Sequence, residues 1–96
     1  MNKEMFRRFL KSYRTSKGLP MTPNAVQKRL TEATKAEETL KALIDLDQIV
    51  RDEGLMRFAV IALRNQPGAR KHNPMGNALR KYYEMVNHRE FPLVKE

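Results

Sequence analysis

The sequence predicts an all-α protein: a compact bundle of four main helices plus a short one, without a sheet, as a single domain over residues 1–96. Three observations lead there. Apolar residues recur at helical spacing in four separate stretches. A polar cap followed by proline occurs at Thr22-Pro23 and again at Asn73-Pro74, and proline suits the first helical position, where no N–H is needed. Strand-type alternation is nearly absent.

The first helix is expected over residues 2–16, with Met5, Phe6, Phe9, Leu10 and Tyr13 in one sector and Lys3, Arg7, Lys11 and Arg14 opposite. Gly18 suits its C-terminal stop, and Pro20 prevents continuation. Thr22 then caps a second helix on the apolar stripe Val26, Leu30, Ala33 and Leu40, with Asn24, Lys28, Thr31 and Lys35 on the far face. Glu37 falls in that apolar stripe. A carboxylate there needs either an exposed helix edge or a partner, and Arg80, Tyr82 and Tyr83 are the candidates. Residues 45–50 suit a short third helix or turn. Asp52 caps a fourth helix running to about residue 65, whose apolar run predicts the most buried helix of the set. The last helix turns Met75, Ala78, Leu79, Tyr82, Met85 and Val86 inward, and Asn77, Arg80, Lys81 and Glu84 outward. Phe91-Pro92 is expected to dock a ring and end the structure. Phe9, Val26, Leu30, Phe58, Ala62, Leu79 and Tyr82 are the expected core members.

Charge is distributed unevenly. Residues 1–30 hold eight basic residues and one acid, residues 31–55 three and seven, and residues 56–96 eight and three, which sums to the net +8. Two basic segments thus flank an acidic one, and if they meet in the fold they form one positive surface. An excess of this size favours a polyanionic partner.

Catalysis finds little support. There is no cysteine, so thiolate metal sites and thiol nucleophiles are excluded. Ser12 and Ser16 lie in a basic helix without a histidine nearby in sequence, so no nucleophile–base pair assembles. His72 and His88 sit among positive neighbours, which disfavour a bound cation. The four glycines are scattered and form no phosphate cradle. No enzyme, metal or other cofactor is expected. Nor is a membrane partner, because Phe6, Phe9 and Leu10 read as core and no apolar run reaches the roughly 18 residues of a span. The basic rows read best as nucleic-acid contacts. Lys28, Lys35, Arg70, Lys71, Arg80 and Lys81 are the phosphate binders, and Asn24, Thr31 and Asn77 are the groups placed to read base edges. Duplex DNA is the expected partner, with RNA left open. The alternative is a helical interaction or dimerisation module that meets a protein partner, or a second copy, through the acidic segment 32–53.

Several of these residues form a pattern. Thr22-Pro23-Asn24-Ala25-Val26, Leu46-Asp47-Gln48-Ile49 and Asn77-Ala78-Leu79-Arg80-Lys81-Tyr82-Tyr83 together resemble the SAM-like core-binding domain at the N-terminus of tyrosine recombinases and phage integrases. The resemblance runs from about residue 5 to residue 92. It implies a DNA-clamping helical module whose second and last helices approach the duplex, in a prokaryotic or phage cytoplasm. The chain departs from the family at Ala25, where threonine is frequent, and at Arg29, where an aromatic is frequent. It also lacks a His-x-x-Arg segment and a nucleophilic tyrosine region of the recombinase catalytic domain. The resemblance therefore implies the gripping half without the cutting half: an N-terminal module of a longer protein, an excised domain or a free-standing relative.

Overall fold

Five helices follow one another in the computed structural model: α1 (Lys3–Ser12), α2 (Pro23–Leu40), α3 (Leu46–Ile49), α4 (Glu53–Arg64) and α5 (Pro74–Asn87). The structure describes residues 1–14, 17–42, 44–68 and 72–92. Among them there is no strand, and Arg14 and Pro20 form an isolated antiparallel bridge.

Each helix begins where a short polar side chain can satisfy a free amide. Asn2 Oδ1 accepts from the Met5 amide at 3.1 Å, Thr22 Oγ1 from Ala25 at 3.1 Å, and Asp52 Oδ1 from Leu55 at 3.0 Å. Asp45 caps α3 in the same way through the Asp47 amide. Asn73 caps α5 from the left-handed region, at φ 53°, a conformation that asparagine tolerates better than most residues. Its buried side chain accepts from the Gly76 amide at 3.2 Å and donates to the Val60 carbonyl at 3.1 Å, tying the start of α5 to α4.

The first helix is shorter than its sequence pattern suggests. It stops at Ser12, and Tyr13 leaves in an extended conformation. The Tyr13 ring packs beside Phe9, with ring centres 5.7 Å apart, and lies under the Lys81 ammonium. The chain then turns back through Gly18, at φ 76°.

α5 is the central helix. It packs against α1, α2 and α4, and none of its residues is fully exposed. The largest fully covered side chains are Phe6, Leu10, Met56, Leu63, Leu79 and Tyr83 from α1, α4 and α5, with Val50 at the end of α3. Phe6 meets Tyr82 edge-on at 5.3 Å, and Phe91 meets Tyr83 edge-on at 5.0 Å, so the ring after α5 docks as the sequence predicts.

Two burial expectations are corrected. α4 is not the most buried helix, and Phe58 is 59% exposed. The buried residues of α4 are Met56, Ala59, Val60 and Leu63, a single i, i+3, i+4, i+7 stripe. Phe58 lies two residues, about 200° of helical rotation, from Met56 and so faces away. Ala62 and Phe9 are half-buried rather than central.

Candidate nucleic-acid interface

α2 presents a continuous polar ridge. Asn24, Lys28, Thr31 and Lys35 are spaced four, three and four apart, and all four are exposed. The Gln27 amide donates to Thr31 Oγ1 at 3.3 Å, which braces the middle of the ridge. Lys35 Nζ lies 3.6 Å from Glu32, one turn back.

A groove runs along each side of the ridge. On the α1 side, Lys3 and Arg7 line one depression with Thr31 and Lys35, and Arg7 and Lys11 line the next one with Pro23 and Gln27. Lys3, Arg7 and Lys11 are exposed, and Arg7 shares Glu4 with Arg8, each at 3.5 Å. On the α5 side, Lys28, Arg29, His72 and Asn77 border a groove of about 170 Å³. It adjoins a second of about 140 Å³, bordered by Arg29, Asn77, Arg80 and Lys81 with Glu84 and Glu90.

The sequence-derived site residues therefore fall into two groups. Lys28, Asn77, Arg80 and Lys81 meet along the α2–α5 seam, while Thr31 and Lys35 face the α1 groove. Asn24 stands at the exposed start of the ridge, outside both grooves. Arg70 and Lys71 lie outside the described residues. The placement of Arg80 and Lys81 on a solvent face is corrected, because both are half-buried on the central helix. Arg80 Nη2 donates to the Phe91 carbonyl at 3.0 Å. Lys81 Nζ donates to the Tyr13 hydroxyl at 2.5 Å, sits 4.0 Å above the centre of that ring and lies 3.4 Å from Glu84. Lys81 thus fastens α5 to the end of α1. Asn77 Nδ2 donates to the His72 carbonyl at 2.9 Å and holds the loop before α5.

Arg29, like Lys3, Arg7 and Lys11 of α1, borders the grooves but is missing from the sequence-derived set. It is half-buried and borders both grooves of the seam. Burial lowers its pKa from the ordinary arginine value, the Arg80 charge lowers it further, and Tyr13 works against both. A signal for it exists in the sequence: Arg29 shares a helix face with Ala33 and Ala36, small residues that let α5 approach and leave room for a long side chain. Lys3, Arg7 and Lys11 are visible in the sequence as a basic row, but only the packing of α1 on α2 brings Lys3 and Arg7 beside Thr31 and Lys35, and Lys11 beside Pro23 and Gln27. Compared with protein-family models, curated proteins and solved structures, the chain finds no match.

Proposed function

We propose that this chain is a non-catalytic, DNA-binding helical module that grips duplex phosphates, as its resemblance to recombinase core-binding domains implies. One observation carries the reading: an exposed Asn–Lys–Thr–Lys ridge on α2 is flanked on both sides by grooves bordered by cations from α1 and α5. Exposed lysines and arginines on rigid helices are the groups that neutralise phosphates and release counterions. The polar side chains between them, Asn24 and Thr31, are suited to base edges. Lys28, Lys35, Lys3, Arg7 and Lys11 make the outer phosphate contacts. Lys81 contributes mainly by holding α5 in place.

A salt-dependent gel shift on duplex DNA, with single-stranded RNA as competitor, tests this. Four to six neutralised phosphates give a log–log salt slope of about −4 to −5. Lys28→Ala or Lys35→Ala flattens the slope by about one unit for every sequence tested. Absence of a shift at low salt, or a shift independent of salt, overturns the reading.

A second reading rests on its own observation. Phe58, 59% exposed, stands at an apolar notch bordered by Leu40, Ile44, Ile49, Leu55 and Ala59, three of which lie in the acidic segment 32–53. That notch suits an interaction or dimerisation module. Sedimentation of the parent and of Phe58→Glu over a range of concentrations decides it: self-association that the substitution abolishes favours this reading.

A further inference from the structure

Arg29 forms no ion pair among the described residues. Its guanidinium is half-buried between α2 and α5, and no carboxylate among the described residues lies within ion-pair distance of it. Two of the acids at the seam are committed elsewhere, Glu32 lying 3.6 Å from Lys35 and Glu84 3.4 Å from Lys81, and the third, Glu90, is exposed at the rim of the second groove and forms no ion pair with either arginine. The second arginine of the seam is also short of acceptors. Arg80 spends Nη2 on the Phe91 carbonyl, while its Nε is sealed from solvent with no acceptor among the described residues. Each of these guanidiniums is partly stripped of water, and the Arg80 charge disfavours that of Arg29, an effect that Tyr13 opposes. Folding tolerates such an arrangement at a cost, and an oxyanion shared by the two would relieve it.

We infer that Arg29 and Arg80 form a two-arginine clamp for one backbone phosphodiester, seated in the α2–α5 seam beside Asn77. This rests on the nucleic-acid reading above and adds its innermost contact. The ridge lysines meet phosphates from exposed, flexible stems. The clamp instead presents planar, partly desolvated donors, whose geometry fits two oxygens of one phosphate. Its position also sets a register. A phosphate held in the seam fixes which nucleotides lie across Asn24 and Thr31 on the ridge.

The test uses isotope-labelled protein titrated with inorganic phosphate, against sodium chloride at equal ionic strength, while the arginine Nε–H resonances are followed by NMR. Saturable movement of the Arg29 and Arg80 signals with phosphate alone is expected, together with loss of the Arg80 movement in Arg29→Gln. Arg29→Lys should restore only part of it, because an ammonium lacks the fork. Signals that stay still, or that move equally with chloride, overturn the clamp. Thermal melting gives an independent readout. Phosphate should raise the melting temperature of the parent more than that of Arg29→Gln, and equal shifts also overturn the clamp. Duplex titrations separate the two proposals. If Arg29→Gln binds duplex with parental affinity and salt slope, the clamp falls and the nucleic-acid reading stands. If phosphate moves the arginines but duplex is not bound, the phosphodiester assignment falls with that reading.

Discussion

Three distant parts of the chain meet at one ammonium. The Met1 amine lies 2.6 Å from Glu37 Oε2 and 3.3 Å from Asp47 Oδ2. Tyr82 closes the group: its hydroxyl donates to Asp47 Oδ1 at 2.7 Å and accepts from the Asn2 amide at 2.9 Å. Burial alone would lower the amine pKa, but the two carboxylates outweigh it and raise the pKa above 8.0. Burial would raise that of Asp47, but the Tyr82 hydroxyl and the ammonium lower it below 3.8. The signs define a window. The amine contributes stability below 8.0, which is lost as pH rises through its raised folded value. Asp47 contributes above 3.8, and that is lost as pH falls through its lowered folded value. Between these limits both contributions are present. Glu37 is 24% exposed, so Glu37→Gln is expected to cost about 1 kcal/mol near pH 6. The cost should shrink once the amine deprotonates, and denaturant titrations at pH 6 and pH 10 check this. The sequence flags Glu37 as a carboxylate needing either an edge or a partner. Its partner is none of Arg80, Tyr82 and Tyr83, because the group that reaches it is a chain terminus, which no side-chain pattern displays.

Helix starts are the most legible elements, because a cap is a local bargain between one side chain and one amide. Thr22-Pro23, Asp52 and Asn73-Pro74 all begin helices where the sequence places them. Helix ends and faces depend on what packs against them. α1 stops at Ser12, and Tyr13 just beyond it packs beside Phe9 and accepts from Lys81, a residue 68 positions away that no local pattern reveals. The apolar run of α4 carries more apolar residues than its neighbours can cover, and only tertiary packing decides which stripe is buried. Two predictions follow at this scale. Phe58→Ala should cost less than about 1 kcal/mol, whereas Met56→Ala, at a fully covered position, should cost about 2–5. Gly76→Ala should destabilise by about 1–3 kcal/mol, because a Cβ there would lie 2.3 Å from Asn73 Nδ2 and 2.7 Å from its Cγ, displacing the cap that joins α5 to α4. Chemical denaturation of the variants measures both.

Over the whole molecule, the acidic middle of the sequence turns inward in chemical terms. Asp45 and Asp52 cap helices, Glu37 and Asp47 hold the amine, Glu32 lies near Lys35, Glu38 pairs with Lys41 at 2.6 Å, and Glu53 binds Arg89 at 2.5 Å. Most of the acids are therefore matched locally, which leaves the cations of α1 and α2 to set the outer field. The charge segments are legible in the sequence, but their pairing is not, since it depends on which ends meet. The described helices include none long and apolar enough to cross a membrane. The Tyr82 hydroxyl has an optical consequence. The chain contains three tyrosines and no tryptophan, so its near-ultraviolet absorption comes chiefly from phenols. Burial, with the Asp47 carboxylate as acceptor, pushes the Tyr82 phenol up to about 12 from 10.0, although the Asn2 amide pulls the other way. An alkaline titration read at the phenolate band should thus show a delayed ionisation from Tyr82 in the folded protein. That step should return towards 10 when the chain unfolds, and fall when Asp47→Asn removes the charge that holds the proton in place. The protein carries its own dye at the junction where the N-terminus meets α2, α3 and α5, and the absorbance of that dye reports whether the junction is shut.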